Sequence, residues 1–315
     1  MVNANIHAGK KIKLSMCIVT YNQKKYLREC LDSVINQTVD FDYEIIVGDD
    51  ASSDGTSDLI MDYFRKYPDL IIPVLQKKNI GPTKNYIAVH SKAKGEYVGH
   101  MDGDDVAFPG KLQKQVDFLD GNNKCNLVWH RVNVFDDAGN IIRILHNRLN
   151  EVVDVNAITQ EDILKYGMLG AHSSTMYRRS AMPNFEVVKE EVLDYFFIVL
   201  IVDSGLACRL NDLLGGYRVN AKKRTASKNK SLYFNRSPIR KLYCEHLELF
   251  YRRYEYNKFK EAIFLNALFN FVVDVRFLRP SALSFFTLAM RAFSFTGFAG
   301  SFGYFKKALK LRSFS

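Results

Sequence analysis

The sequence predicts an α/β fold: a mainly parallel sheet covered by helices on both faces, followed by a basic helical C-terminal extension. Three observations carry this. Short apolar runs alternate with segments of helical periodicity through the first hundred residues. Each of those runs ends in polar or acidic residues. Charge also divides the chain near residue 221.

Taken in order, Leu14 to Thr20 is an apolar run of strand length, and Gln23 to Gln37 places Tyr26, Leu27, Cys30, Leu31, Val34 and Ile35 at helical spacing. Tyr43 to Gly48 is a second strand, Thr56 to Tyr67 a second helix stopped by Pro68, and Ile71 to Gln76 a third strand. Pro82 opens a helix that runs to Ala93, a position where a missing N–H costs nothing. Glu96 to Met101 is a fourth strand, and Asn126 to Phe135 is strand-like again.

In open parallel sheets ligands bind beyond the carboxyl ends of the strands. Here those ends read Thr20-Tyr21-Asn22, Asp49-Asp50-Ala51-Ser52-Ser53-Asp54-Gly55-Thr56, Asn79-Ile80-Gly81 and Asp102-Gly103-Asp104-Asp105. Any one of these is ordinary turn chemistry, since Asp-Gly favours turns and Thr56 or Ser57 can cap a helix. Four on the same rim point to a pocket. The last crowds three carboxylates into four positions, which is costly unless a cation or hydrogen-bonding ligand compensates. Such hard oxygen ligands suit Mn²⁺ or Mg²⁺ beside a phosphate. Gly103 lets the chain turn tightly between the acids. No Gly-x-x-x-x-Gly-Lys-Ser/Thr occurs, which weighs against a P-loop enzyme, and strand one does not lead into Gly-x-Gly-x-x-Gly, which weighs against a dinucleotide-dependent dehydrogenase.

In combination and order, Thr20-Tyr21-Asn22, Asp49-Asp50-x-Ser-Ser-Asp-Gly-Thr, Asn79-x-Gly81, Gly95-Glu96-Tyr97 and Asp102-Gly-Asp104-Asp105 resemble the nucleotide-sugar-binding half of a family 2 glycosyltransferase. The resemblance covers about residues 12–220. It implies a Rossmann-like GT-A sheet and inverting transfer of a sugar from a nucleoside diphosphate, most commonly UDP in this family. It also implies that Thr20, Tyr21, Asn22, Asp49 and Asp50 contact base and ribose and that Lys84 helps hold the donor. Asp102 and Asp104 would bracket ribose and metal-diphosphate, with Gly103 between them and Asp105 in support. The metal would be Mn²⁺ or Mg²⁺, on Asp104 and Asp102.

Inverting transfer needs a base for the acceptor hydroxyl. The family places it where an apolar helix begins; Asp194, entering the run to Val202, is the nearest match, with Glu191 as runner-up. Both acids also simply suit the positive end of a helix. His172, in His172-Ser173-Ser174-Thr175-Met176-Tyr177-Arg178, resembles the family's acceptor-side strand. Trp129 either stacks on an acceptor sugar or packs in the core. Gly216-Tyr217-Arg218-Val219-Asn220 is similar to the family's Tyr-Arg-x-His element; Arg218 is expected on diphosphate or an acidic neighbour, while Asn220 stands where many members carry histidine. Lys222, Lys223 and Arg224 replace the glycines usual after it.

The 315 residues are 47% hydrophobic, enough for a full core plus an appendage. Residues 222–315 carry 19 Lys and Arg against 5 Asp and Glu, so the tail is +14 and residues 1–221 are −4. This divides a catalytic unit, 1–221, from a basic region, 222–315, with Lys222 to Arg240 as connector. Arg240 to Tyr256 and Lys258 to Phe277 read as helices, and Arg279-Pro280 breaks the pattern. Ser281 to Phe305 holds Arg291 as its only charge. Phe295, Phe298, Phe302, Phe305 and Leu309 make a narrow stripe flanked by Lys306 and Lys310. Two readings follow for the tail: attachment to an anionic membrane, or packing on the catalytic unit or in a homodimer. Met1 to Lys13 has no signal-peptide pattern, and Cys17, Cys30, Cys125, Cys208 and Cys244, odd in number and scattered, read as reduced thiols of a cytoplasmic protein. No nucleic-acid motif is present.

The expected function is therefore metal-assisted transfer of a sugar to a glycan or lipid-linked acceptor at the inner face of a membrane. A nucleotidyltransferase or a non-catalytic nucleotide-sugar-binding scaffold are the alternatives. A nucleotidyltransferase would carry a glycine-rich loop after strand one, and Tyr21-Asn22-Gln23-Lys24-Lys25 has no glycine.

Overall fold

Alternation along β1 (Leu14–Thr20) sends Met16 and Ile18 to one face of the sheet and Cys17 to the other, each face meeting its own buried core. The computed structural model describes residues 11–146, 148–188, 191–219, 237–253, 259–276, 279–293 and 295–312. With β1, the strands β2 (Tyr43–Asp49), β3 (Ile71–Leu75) and β4 (Tyr97–Asp102) pair in parallel in the order β3-β2-β1-β4. The helices α1 (Lys24–Ile35), α2 (Thr56–Lys66) and α3 (Pro82–His90) connect them. These seven elements stand where periodicity placed them, shifted only at their ends, which fray.

The remaining strands are β5 (Val106–Ala107), β6 (Cys125–Phe135), β7 (Ile141–Ile144), β8 (Met176–Arg178) and β9 (Leu206–Arg218). They extend the sheet as β4-β8-β6-β9-β5, with β7 on β6. β8 is antiparallel to both β4 and β6, β9 runs parallel to β6, and β5 is antiparallel to β9. The mainly parallel expectation thus holds for the first half of the sheet, and the second half is mixed. Strand β9 was not anticipated, because Arg209, Asn211 and Asp212 interrupt its apolar alternation.

The other helices are α4 (Lys111–Gly121), α5 (Gln160–Tyr166), α6 (Asp194–Ile201), α7 (Ser237–Arg253), α8 (Lys260–Arg276), α9 (Ala282–Arg291) and α10 (Phe295–Arg312). The C-terminal helices pack on the sheet domain. Tyr195 meets Tyr243 at 5.1 Å, Phe196 stacks on Phe250 at 5.3 Å, and Tyr304 Oη donates to the Lys165 carbonyl at 2.8 Å. The narrow stripe expected on α10 is divided. Phe305 leans on Phe269, whereas Phe302 and Leu309 are 84% and 56% exposed, and the buried positions are Tyr304 and Ala308. The side chains of Phe295, Phe298 and Lys310 lie outside the described residues, as do residues 220–236 with most of the expected connector.

Two further expectations are corrected. Arg240 is not a connector cation: it is buried on α7 and pairs with Asp274 at 2.6 Å. Nor are all cysteines reduced: Cys125 and Cys208 form a disulfide between the paired strands β6 and β9. An 83-residue separation hides a proximity that only the register of those strands creates. Cys17, Cys30 and Cys244 are buried thiols. Among the described residues no helix is long and apolar enough to cross a membrane.

Candidate active site at the strand ends

The parallel register sets Thr20 beside Asp49 and Val19 beside Asp102, so three of the expected donor-binding residues share one rim. Much of that rim is tied together by its own polar groups. Asn22, at φ 52°, donates through its backbone to Ser52 Oγ and accepts from the Ser53 N–H at 2.9 Å. Asp49 is buried and closes the turn by accepting from Ser52 N at 3.1 Å. Asp50 is also buried; it accepts from the N–H groups of Ile80 and Gly81 at 2.7 and 3.0 Å, fixing the Asn79-Ile80-Gly81 turn to β2. Thr20 is buried on Gln23, Tyr21 is half exposed, and Lys84 is exposed on the first turn of α3.

The acidic turn follows β4. Gly103 is required there: a Cβ would lie 2.9 Å from Thr20 Cβ and from Gln23 Oε1. Asp102 takes a hydrogen bond from His100 Nε2 at 3.3 Å, and its backbone N–H donates to Ser173 Oγ at 3.0 Å. Burial raises its pKa; His172 opposes that shift and Asp194 adds to it. Asp105 is 1% exposed; Oδ1 accepts from Arg218 N at 2.8 Å, and Oδ2 is a buried oxygen with no hydrogen-bond partner among the described residues. Burial first, then Asp102 and Asp104, push its carboxyl well above the usual range. An orphaned oxygen among mutually repelling acids fits a divalent cation. Lys111, buried beneath the turn, donates to the Ser173 carbonyl at 2.7 Å, and burial brings its pKa down to about 8.

Across from the turn, Asp194 is the first residue of α6, and its Oδ2 lies 3.4 Å from His172 Nδ1. The same nitrogen is 3.9 Å from Asp102 Oδ1. His172 thus stands between the first acid of the turn and the expected base. His100, Asp102 and His172 bring one ligand atom each within 4.8 Å of one another. Burial lowers the pKa of His172 and takes His100 down to about 3.

Other expected residues are used differently. Trp129 is fully buried; Nε1 donates to Thr175 Oγ1 at 3.0 Å, and its ring occupies the space where a Cβ on Gly170 would sit. It is core, not an acceptor platform. Arg218 serves the acidic neighbours instead of a free diphosphate position: Nε donates to the Asp104 carbonyl at 2.9 Å and Nη2 to Glu29 at 2.5 Å, with the guanidinium over Phe135 and Tyr26. Glu191 caps α3, accepting from Thr83 Oγ1 at 2.7 Å. Its Oε1 lies where a Cβ on Gly81 would be, and Gly81 has φ +89°. Asn220 and Glu190 lie outside the described residues.

Sequence reasoning gave no role to His90, His100 or Lys111, and it named Ser173 and Tyr177 only within the run His172 to Arg178. One signal was available for His100: two residues before Asp102 on one strand, it must share that residue's face.

Residues 15–184 match the model of the glycosyl transferase family 2. An uncharacterized protein of Mycobacterium tuberculosis is 31% identical over 212 residues, 66% of this chain and 59% of the relative, so the chain spans little more than half of that protein's length. A poly(ribitol-phosphate) beta-glucosyltransferase of Bacillus spizizenii is 38% identical over 112 residues, 35% of this chain and 18% of the relative. Among solved structures, residues 1–349 of S. aureus TarS match with TM-score 0.59 at 18% identity, covering 96% of this chain and 82% of that one. TarS has also been solved with UDP and with UDP-GlcNAc. A mannosyltransferase from Pyrobaculum calidifontis, solved with GDP-Man and Mn²⁺, matches with TM-score 0.51 at 16% identity, over 96% of this chain and 92% of that one. At these identities the structural matches establish the GT-A-like fold.

Proposed function

The chain belongs to glycosyltransferase family 2, and we propose that it transfers a sugar, with inversion, from a nucleoside diphosphate donor to a glycan or lipid-linked acceptor. The observation that carries this reading is the approach of Asp102 and Asp194 to one imidazole, His172, at the open rim of the sheet. One carboxylate belongs to the acidic turn that would receive ribose and diphosphate. The other is 60% exposed at the start of α6, where an acceptor can reach it.

Asp194 takes the proton from the acceptor hydroxyl as that oxygen attacks the anomeric carbon. The bond from that carbon to the diphosphate oxygen breaks on the opposite face, and the electron pair leaves with the diphosphate. Asp104 and Asp102 would hold a divalent cation, Mn²⁺ or Mg²⁺, whose charge stabilises the departing diphosphate. Arg218 holds the turn at the Asp104 carbonyl, and Lys111 holds Ser173, whose hydroxyl accepts from the Asp102 N–H. Thr20, Tyr21, Asn22, Asp49 and Asp50 would form the wall for base and ribose, and Lys84, exposed on the first turn of α3, would help hold the donor. A UDP-sugar is the favoured donor, supported by the TarS complexes. The poly(ribitol-phosphate) glycosylating relative supports a cell-surface polymer or its lipid-linked precursor as acceptor.

The acceptor also fits the tail. Leu283, Phe286 and Met290 are exposed at helical spacing on α9, with exposed Phe293 beyond and exposed Arg276 and Arg291 nearby in sequence. We assign this face to an anionic membrane surface at which the acceptor is held.

The test is titration calorimetry with UDP, with and without Mn²⁺, on wild type and Asp104→Ala. Metal-dependent UDP binding should be lost in the variant. Equal binding by both proteins would refute the metal assignment.

A further inference from the structure

The first acid of the turn is the end of a chain of buried groups that the proposed chemistry does not use. Tyr177 Oη lies 2.8 Å from His90 Nδ1, His90 Nε2 lies 3.0 Å from His100 Nδ1, and His100 Nε2 lies 3.3 Å from Asp102 Oδ1. Tyr177, His90 and His100 are each fully buried, so these groups have no recourse to bulk water. They come from three separate elements: the end of α3, β4 and β8. Tyr86 clamps the row, stacking on His90 at 3.7 Å and on Phe197 of α6 at 4.4 Å.

The direction of the chain follows from its last member. As a carboxylate Asp102 can only accept, so His100 must carry its proton on Nε2. Its Nδ1 then has only a lone pair, so His90 must donate from Nε2. That leaves His90 Nδ1 bare, and the tyrosine hydroxyl must donate to it. With both rings neutral and Asp102 ionised, one assignment satisfies every atom: Tyr177 O–H to His90, His90 N–H to His100, His100 N–H to Asp102. In this assignment no proton has to move.

We propose that Tyr177, His90 and His100 are positioning residues that fix the tautomer of His100 and thereby hold Asp102 in the orientation that receives the donor. The arrangement has the logic by which outer hydrogen bonds orient ligating side chains. It rests on the donor reading of Asp102, but its tautomers do not.

The first test reads the tautomers directly, by long-range proton–nitrogen NMR of the full chain labelled at histidine, without ligand at pH 7.5. The expected spectrum shows His90 and His100 both protonated at Nε2 and bare at Nδ1. A proton on Nδ1 of either ring, or on both nitrogens, overturns the chain. The second test measures UDP binding with Mn²⁺ to His100→Leu and His100→Gln, folded variants being identified by near-UV circular dichroism. Leucine should weaken binding about tenfold, as for a lost hydrogen bond to a charged group, and glutamine, which can donate from nearly the same place, should recover most of it. Wild-type affinity in the leucine variant, or equal losses in both, overturns the positioning role. Failure of wild-type protein to bind UDP would count against the donor reading instead, with the tautomers still deciding the chain.

Discussion

Arg218→Met separates a residue that grips ligand from one that grips the protein. The side chain is 6% exposed. Its Nε–Asp104 carbonyl bond at 2.9 Å is a charge-assisted bond of about 1.5–3 kcal/mol. The ring of Phe135, 4.4 Å from the guanidinium carbon, adds about 0.5–2 kcal/mol. Glu29 is 57% exposed, so its pair with Arg218 is screened and contributes at most about 1 kcal/mol. Methionine refills most of the volume and leaves the Arg218 N–H bond to Asp105 in place. The expected loss is about 3 kcal/mol, read as a lower urea midpoint at unchanged slope. Calorimetry then supplies the functional half. A loosened turn weakens uridine as well as UDP, because the same turn would receive the ribose, whereas a lost diphosphate clamp weakens UDP alone. A stability change under about 0.5 kcal/mol together with selective loss of UDP would refute the structural role assigned here.

Three further outcomes are expected. Trp129→Ala should cost about 3–5 kcal/mol in urea unfolding, as for a fully buried ring; a native-like midpoint with impaired acceptor binding would restore the stacking role. Acid should also destabilise the fold. Burial holds His146 and His246 near 4 and His130 well below 6.5, so the unfolded chain takes up protons that the native state refuses as pH falls below 6.5. Stability present above pH 6.5 is then lost by about 1.4 kcal/mol per histidine at pH 5.5, about 4 kcal/mol for the three. His90 and His100, also held low by burial, add to this loss; His246→Phe should remove about 1.4 kcal/mol of it, and equal urea midpoints at pH 7.5 and 5.5 would contradict it. Finally, replacing Leu283, Phe286 and Met290 with serine should abolish sedimentation with phosphatidylglycerol vesicles and leave the melting temperature nearly unchanged. Unchanged sedimentation would remove the membrane assignment, and dimers that dissociate in the variant, seen by light scattering, would favour a second copy on this face.

What could be read from the sequence followed the range of the interactions. Strands β1 to β4 and helices α1 to α3 were legible because each is specified by its own periodicity, and parallel pairing fixes the carboxyl-end rim as a consequence. The acidic turn was legible for the same reason, since Asp102, Gly103, Asp104 and Asp105 are contiguous. Asp194 and His172 were named from the resemblance, but their approach to Asp102 depends on how β8 and α6 are laid beside β4. Trp129 was undecidable from composition, because a tryptophan offers the same ring to a sugar or a core and only the neighbouring Gly170 and Thr175 choose. Cys125 with Cys208, and Arg240 with Asp274, were hidden because each pair is joined by tertiary packing and neither has a local pattern.

Five groups around the acidic turn share one tendency. Burial raises the pKa values of Asp102 and Asp105, lowers those of His100 and His172, and takes Lys111 down to about 8. In every case the environment opposes the charged form, which is the reverse of a surface acidic loop, where water would support it. Such a site is preorganised at the expense of its own stability. A cation among the acids would support their charged forms. Under the proposed function the metal and diphosphate would sit together in the turn, and the acceptor hydroxyl would meet Asp194 at the exposed side. Arg218 and Ser173 are the residues that let the fold keep the acids so close, because each binds the turn through groups that carry no negative charge.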